Sequence, residues 1–343
     1  MTLYAWARRR SFPALPAAEA RLFEVSPVTR VLAHCHWQAD RTSHPTIVLL
    51  HGLEGSSDAH YMKGIAEKAF VRGFNVIRLN QRNCGGTDRL SEGLYHSGLT
   101  SDPAAVLREL TEHDGLGAFV VAGYSLGGNL TLRLAGESGD APSVDLRAAC
   151  AVSPTLDLPR CMSALERPSN RIYEWHFMHC LQRRMRLKAR LFPHLYDARG
   201  LGLIWSVRAF DDRYTAPHHG YRDAADYYYR AAALRVVDEI RVPTLIVTSE
   251  DDPFIPVEAF RDPKVTGNPA VTVVITKYGG HCGFVETARD GYDGYWAEQL
   301  IVNFAVRQAG GPTAAAHPAS AAASAPTTGR SRATKRRRQP GPA

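Results

Sequence analysis

Hydrophobic residues in the first half of the chain form short runs that alternate with stretches of helical spacing. The run at 46–50 is rich in β-branched residues, which is typical of a buried strand. Apolar residues at Met62, Ile65 and Phe70 recur at helical spacing and stop at Gly73. We predict strands at 30–37, 46–50, 74–79, 118–122 and 148–152, and further helices at 103–112 and 126–134. Such alternation indicates an α/β fold with a mostly parallel, doubly wound sheet.

The second half interrupts this alternation before it resumes. The stretch 154–241 is rich in Arg, Tyr, His and Trp, and its spacing predicts helices at 171–191 and 221–234. Strands are predicted again at 243–248 and 271–276, followed by an amphipathic helix at 295–306. A long helical insertion between two strands predicts a cap over the edge of the sheet. We therefore expect one domain over 20–309, with a cap at about 155–241, after an N-terminal segment at 1–19.

Composition favours a globular protein without a membrane span. Of the 343 residues, 45% are hydrophobic and 22% are charged, and no apolar run approaches the roughly 18 residues of a spanning helix. The N-terminus has basic residues but no apolar segment behind them, so no secretory signal is predicted. The six cysteines form no CxxC pair. We expect a cytoplasmic protein with reduced thiols.

The last residues account for most of the positive charge. The stretch 310–343 is rich in Ala, Pro and Ser, and predicts a disordered basic tail. It carries six basic residues and no acid, so its removal lowers the net charge from +7 to +1. The nearly neutral remainder gives no reason to expect a nucleic-acid partner. The basic run at 335–338 could touch an anionic surface weakly, although a solvated tail is the simpler interpretation.

The strongest chemical pattern is Gly123-Tyr124-Ser125-Leu126-Gly127, between a predicted strand and a predicted helix. A tight turn of this kind requires small residues two positions before and after the serine, and it exposes the hydroxyl. The amides at the start of the following helix then face the negative charge that develops on the substrate. Ser125 is therefore a candidate nucleophile, the alternative being an ordinary strand–helix loop.

A serine hydroxyl needs a base to take its proton and an acid to orient that base. In this architecture the acid and the histidine follow the serine in that order, at the carboxyl ends of strands. Glu250, Asp251 and Asp252 follow one predicted strand, and His281 lies between glycines after the next one. A short carboxylate such as Asp251 can equally cap a turn or helix.

The loop that begins at His51, directly after the strand at 46–50, predicts an oxyanion hole. Backbone N–H groups of Leu53 and Leu126 would converge on the substrate's carbonyl oxygen, and Gly52 and Gly55 allow a close approach. His51 is better explained as a support of this loop than as a base. No cluster of His, Cys and Asp has metal-ligand spacing, and no phosphate-binding motif occurs. We therefore predict neither a metal nor a cofactor.

Several segments together resemble one known family. They are 51–57 (HGLEGSS), 60–66 (HYMKGIA), 75–87 (NVIRLNQRNCGGT), 123–129 (GYSLGGN), 210–217 (FDDRYTAP), 220–228 (GYRDAADYY), 251–254 (DDPF) and 279–284 (GGHCGF). They resemble the YheT-like branch of the α/β-hydrolase superfamily. The resemblance implies a carboxylesterase or lipase-like enzyme with Ser125, Asp252 and His281 as its triad. Asp252 is preferred because the stretch that it opens, D-P-F-I-P, resembles the acid-bearing loop of many such hydrolases.

The expected activity is the cleavage of a small acyl ester through an acyl-enzyme intermediate. Acyl transfer or thioester hydrolysis with the same serine is the alternative, and a non-catalytic binding protein of this fold is a third reading. Phe210, Tyr214 and Trp205 are expected to form an apolar pocket in the cap. The tyrosines at 227–229 are expected to pack within the cap, the alternative being a cage around the substrate. The oligomeric state is not predicted.

Overall fold

The computed structural model describes residue 2, residues 10–289 and residues 291–310. The predicted basic tail lies outside the described residues, apart from Gly310. The predicted N-terminal segment is described only at residue 2 and from residue 10 onward.

Eight strands in the described part of the chain form one sheet, in the order β1-β2-β4-β3-β5-β6-β7-β8. Strands β3 to β8 pair in parallel, whereas β1 and β2 join the edge beside β4 by antiparallel pairing. The strands are β1 (Glu19–Ser26), β2 (Thr29–His36), β3 (Thr46–Leu50), β4 (Asn75–Leu79), β5 (Phe119–Tyr124), β6 (Leu146–Val152), β7 (Thr244–Ser249) and β8 (Val271–Thr276). The predicted fold class is confirmed, with an antiparallel edge that the alternation did not predict.

Seven longer helices occur in this part of the chain. They are α1 (His60–Val71), α2 (Ser101–Glu112), α3 (Leu126–Ser138), α4 (Leu158–Leu165), α5 (Arg171–Leu191), α6 (Ala224–Ala231) and α7 (Trp296–Ala309). None of the described helices has the length and apolar character required to span a bilayer. Shorter helical segments are Arg41–Ser43, Pro168–Asn170, Leu201–Leu203, Val207–Phe210, Asp211–Thr215, Ala216–His218, Ala233–Arg235, Val237–Glu239, Val257–Arg261 and Pro263–Thr266.

The central strands are apolar throughout because both of their faces are covered. All five residues of β3 are buried, and successive side chains point to opposite faces of the sheet. Val48 and Leu50 belong to one apolar cluster, whereas Ile47 and Leu49 belong to another that includes residues of α1 and α7. Each fully buried aliphatic side chain contributes roughly 1.5–3 kcal/mol. This burial holds the strand ends, and hence the site, in fixed positions.

The helical insertion, defined here as residues 153–243, connects β6 to β7 and contains α4, α5 and α6. Its helix α5 has the predicted bounds. The predicted helix at 221–234 is shorter, because Asp223 caps α6 by accepting a hydrogen bond from the Asp226 amide, and Ala232 has an extended backbone. Apolar side chains of α4 and α5 share a cluster with Val48 and Leu50, so the insertion packs onto the same core as the sheet.

Candidate active site

Ser125 lies at a sharp turn between the end of β5 and the start of α3. Its backbone has φ 53° and ψ −118°, an unfavourable conformation for a residue with a side chain. A methyl group on Gly123 would collide with the carbonyl of Gly127, and one on Gly127 would collide with the carbonyl of Leu50. The two glycines are therefore required by close backbone packing, which keeps the strained serine in place.

The structure brings Ser125, His281 and Asp252 into one hydrogen-bonded line. The Oγ of Ser125 lies 3.0 Å from Nε2 of His281, and Nδ1 of His281 lies 2.9 Å from Oδ2 of Asp252. The second carboxylate oxygen of Asp252 accepts hydrogen bonds from the amides of Phe254 and Ile255. The side chains of His281 and Asp252 are almost fully buried. This geometry allows a proton to pass from the hydroxyl to the imidazole.

The neighbouring acids that the sequence left open occupy other positions. Oδ1 of Asp251 accepts hydrogen bonds from the amides of Gly279 and Gly280, at 2.8 and 2.7 Å. Burial raises the pKa of Asp251, but hydrogen bonds with Gly280, Ser249 and Gly279 lower it and keep the pKa below its ordinary value. Glu250 pairs at the surface with Arg261. Asp251 thus fixes the loop before His281, while Asp252 contacts its ring.

The environment of His281 favours its protonated form. Burial lowers the pKa of His281, but interactions with Cys282 and Asp252 raise it by more, to about 10. The ring of Phe254 lies 4.2 Å from the imidazole, centroid to centroid, and covers one side of it. A buried carboxylate beside the ring stabilises the imidazolium that forms when the serine loses its proton.

The backbone amides of Leu53 and Leu126 have no acceptor within the part of the chain that the structure describes. The loop that carries Leu53 passes directly over the serine, since a Cβ on Gly52 would lie 3.2 Å from the Cβ of Ser125. Leu126 is the first residue of α3, where helix amides lack intrahelical partners. Leu53, Leu126 and Ser125 line one cavity. The two amides are thus available to an oxyanion beside the serine.

His51 supports this loop from beneath. Its ring is fully buried, with Nδ1 2.8 Å from the carbonyl oxygen of Gly52 and Nε2 accepting a hydrogen bond from the amide of Gln81. Burial lowers the pKa of His51 to about 4. A neutral imidazole that donates through one nitrogen and accepts through the other matches both contacts. These contacts agree with the interpretation of His51 as a loop support.

A buried ion pair joins the same loop to the helical insertion. Glu54 has a φ of 55°, and its amide donates to the hydroxyl of Tyr95. That hydroxyl donates to the Glu54 carboxylate, which also accepts two hydrogen bonds from the guanidinium of Arg184 on α5, at 2.9 and 3.0 Å. This network was not predicted from the sequence. The acid beside Leu53 was a visible signal, but its partner lies 130 positions away.

The cavity extends from Ser125 into the helical insertion, and its lining is mainly apolar. Side chains of α4 and α5 form part of its wall, among them Leu158, Met162, Phe177, Leu181 and Met185. These flexible aliphatic and aromatic groups can accommodate a hydrocarbon chain.

Two predictions about the lining need correction. Phe210 lines the cavity as expected, but Tyr214 is turned away from it and donates its hydroxyl hydrogen bond to the carbonyl of Asp197. Trp205 is largely exposed at the surface. Tyr227 and Tyr228 are buried within the insertion, as expected, and they also line the cavity. Aromatic composition alone could not distinguish inward-facing from outward-facing rings.

One buried carboxyl group of the cavity was not anticipated. Asp211 accepts hydrogen bonds from the hydroxyls of Thr215 and Tyr228, at 2.5 and 2.7 Å. Burial raises the pKa of Asp211 to about 6, although these two hydrogen bonds lower it. Asp211 begins a single π-helical turn, which brings Asp211 and Thr215 into contact.

Comparisons with known proteins agree with this architecture. Residues 45–288 match the family described as the alpha/beta hydrolase fold. The YheT protein of Escherichia coli (strain K12) is 35% identical over 70% of this chain and 71% of its own length. Phospholipase ABHD3 of Bos taurus is 31% identical over 76% of this chain, which spans only 61% of that relative. The esterase Pf2001 of Pyrococcus furiosus shares the fold, with a TM-score of 0.56 at 15% identity over 88% of this chain and 97% of its own.

The chain belongs to the α/β-hydrolase fold family and, within it, to the YheT-like branch. The family includes esterases and lipases, and a monoacylglycerol lipase of Saccharomyces cerevisiae is 27% identical over 70% of this chain and 55% of its own length. The chain is therefore a member of an α/β-hydrolase family of the esterase and lipase type.

Proposed function

We propose that this protein hydrolyses carboxylic esters, with Ser125 as nucleophile, His281 as general base and acid, and Asp252 as the group that orients His281. The observation that carries the proposal is the hydrogen-bonded line from Ser125 through His281 to Asp252 at the mouth of an apolar cavity. The names of the relatives, among them a phospholipase and a monoacylglycerol lipase, support an acyl substrate.

The proposed reaction has two halves with balanced proton transfers. Ser125 attacks the ester carbonyl while its proton moves to Nε2 of His281, and the amides of Leu53 and Leu126 bind the resulting oxyanion. His281 then returns the proton to the departing alcohol, which leaves an acyl group on Ser125. Water attacks this acyl-enzyme by the same route and releases the acid. Loss of one oxyanion donor typically costs about 3 kcal/mol of transition-state stabilisation.

In this proposal the helical insertion acts as a cap that selects the acyl group. Leu158, Met162 and Met185 present aliphatic and thioether groups toward the cavity that begins at Ser125. A hydrocarbon chain placed there would be removed from water, at a gain of about 0.8 kcal/mol per buried CH₂. The rate constant kcat/KM should therefore rise with acyl length until the cavity is filled.

The test combines p-nitrophenyl esters of graded chain length with a fluorophosphonate probe that reacts with activated serines. Wild-type protein should cleave the esters and take up the probe, and Ser125→Ala should do neither. Ser163→Ala provides a matched control, because Ser163 is exposed on α4 and its hydroxyl donates only to the carbonyl of Pro159. Labelling that persists in Ser125→Ala would contradict the nucleophile, and absence of turnover and labelling in the wild type would favour a non-catalytic role.

The same acyl-enzyme would support acyl transfer or thioester hydrolysis. Adding an alcohol or thiol acceptor, and offering acyl thioesters, distinguishes these reactions from ester hydrolysis by the products. An acylated acceptor as the main product would replace hydrolysis as the proposed outcome, while leaving Ser125, His281 and Asp252 in their roles.

A further inference from the structure

Helix α5 has two faces of different character. Its inner face lines the cavity with Phe177, Leu181 and Met185. Its outer face is exposed at positions three or four residues apart, which places their side chains in one row along the helix. This row, called the outer stripe below, consists of Trp175, His179, Arg183, Arg186 and Arg190.

The outer stripe carries concentrated positive charge. Within the described residues, no carboxylate forms an ion pair with Arg183, Arg186 or Arg190, although Arg184 between them is fully paired. The three guanidinium groups border one shallow groove together with His179, and the ring of His179 stacks on Trp175 at 5.9 Å. Closely spaced cations repel one another, so an anionic partner would stabilise this face.

Large apolar groups are exposed beside these cations. Trp175 is 61% exposed, and Leu203 and Trp205 are 82% and 69% exposed in the loop that follows α5. The side-chain amide of Gln182 donates to the carbonyl of Ile204, which holds this loop against the middle of α5. Gln182 marks the place where Leu203 and Trp205 meet α5. It is seven residues from Trp175, so about two helical turns separate Trp175 from these two loop residues.

We propose that the outer stripe, together with Leu203 and Trp205, docks on an anionic lipid surface. Indole rings favour the boundary between headgroups and acyl chains, and arginine side chains bury their stems while their guanidinium groups bind phosphate. A nucleic acid or an acidic protein would satisfy the cations, but a phosphodiester backbone offers nothing that would bury Leu203. Docking in this way places the helix that walls the cavity against the lipid surface.

The test measures cosedimentation of the full chain with vesicles of phosphatidylcholine alone and of phosphatidylcholine mixed with phosphatidylglycerol. Wild-type protein should bind the mixed vesicles and not the neutral ones. The triple variant R183Q/R186Q/R190Q should bind the mixed vesicles at least about tenfold more weakly. The control R30Q/R108Q/R307Q removes the same charge from exposed sites elsewhere, and its affinity should stay within about twofold of wild type. Equal losses in both triple variants would overturn the proposal.

The apolar part of the surface is tested by W175A/W205A. This variant should bind mixed vesicles more weakly, and the blue shift of tryptophan fluorescence that accompanies binding of the wild type should be reduced.

The contribution of the basic run at 335–338 is tested by replacing it with glutamines in the full chain, and this variant should retain most of the binding. The proposal is wrong if that change abolishes binding while the outer-stripe variants bind normally. It is also wrong if the outer stripe binds double-stranded DNA as tightly as it binds vesicles. Ser125→Ala should bind vesicles like wild type, which separates this result from the proposed hydrolysis.

Discussion

The two sides of the cavity are held in place by different kinds of contact. On the sheet side, backbone geometry positions the groups: Gly127 packs on a carbonyl of β3, and amides of the His281 loop bind Asp251. On the side of the helical insertion, buried charged side chains make the connection. Arg184 binds Glu54, and the ammonium group of Lys188 binds Asn83 and the carbonyls of Asp88 and Ser91.

This difference predicts how substitutions on the sheet side and on the insertion side of the cavity affect the protein. A backbone contact leaves no room for an added atom, so a substitution there displaces the turn itself. One member of a side-chain pair can be removed without moving the sheet, but the other member is then left buried and unpaired. Changes that displace the backbone on the sheet side should therefore impair catalysis strongly, whereas changes in the insertion should weaken it less and lower stability.

The largest effect is expected for Asp252→Asn. An amide cannot hold His281 in the tautomer that accepts the serine proton, and kcat should fall by about 10⁴-fold. Asp251→Asn removes an acceptor of two loop amides, not the contact with the ring, so its kcat should fall much less. Steady-state kinetics with a p-nitrophenyl ester measures both. A larger loss in Asp251→Asn would reverse the two assignments.

The pH profile sharpens this assignment. The proposed hydrolysis requires neutral His281. The value of kcat/KM should therefore rise as pH increases through the pKa of His281, which burial lowers and which Cys282 and Asp252 raise by more. Loss of the Asp252 charge should move this ionisation to lower pH in the residual activity of Asp252→Asn. An unchanged profile would mean that another group controls the rate.

Gly127→Ala tests the backbone contacts. Its new methyl group would collide with the carbonyl of Leu50, and the turn that presents Ser125 and the amide of Leu126 would shift. We expect activity to fall more than 100-fold and stability to fall by about 1–3 kcal/mol. Gly202→Ala is the control, since nothing lies within 4 Å of its added carbon. Denaturant unfolding and ester turnover distinguish the two, and wild-type kinetics in Gly127→Ala would contradict the argument.

The ion pair of Glu54 and Arg184 tests how far the side-chain contacts of the insertion support stability and catalysis. Glu54→Gln leaves Arg184 with Asp88, at 3.4 Å, as its counter-charge, and Arg184→Met leaves the buried Glu54 carboxylate without Arg184. Stability should therefore fall by up to about 3–5 kcal/mol in either variant. Because Glu54 adjoins Leu53, kcat should fall by about 10–100-fold with a smaller change in KM.

The double variant completes a thermodynamic cycle. It should recover part of the lost stability, because neither Glu54 nor Arg184 then remains buried without the other, while its kcat stays low. Arg184→Lys should restore kcat only in part, since an ammonium group cannot match the two-point contact. Strictly additive losses of stability would show that the residues act independently.

The smallest effect is expected at Asp211. Because burial raises the pKa of Asp211 to about 6, the folded protein retains a proton between about pH 4 and 6 that the unfolded chain releases. The free energy of unfolding should therefore decrease as pH rises across that interval, by an amount on the order of 2 kcal/mol. Asp211→Asn should lack this contribution. Urea unfolding at several pH values gives the free energy of unfolding of wild type and of Asp211→Asn. If it changes with pH equally in both proteins, the raised pKa of Asp211 is contradicted.

Local patterns were sufficient for the parts of the molecule that the backbone controls. The buried run of β3 and the glycines around Ser125 are visible in the sequence because each reports a local steric requirement. Strand β1 was missed because it forms the sheet's edge, where most of its residues are exposed or half-buried and only Phe23 is buried. Strands are recognised in a sequence by their buried apolar residues, and an edge strand such as β1 has few of them.

The amino-acid sequence by itself determined the α/β class, the turn at Ser125 and the order in which serine, acid and histidine follow one another. Tertiary structure alone decided which adjacent acid reaches His281, which aromatic rings of the insertion face the cavity, and that Arg184 meets Glu54. The physical reason is distance along the chain: strand and turn preferences act over a few residues, whereas these contacts join side chains that only the packed core brings together.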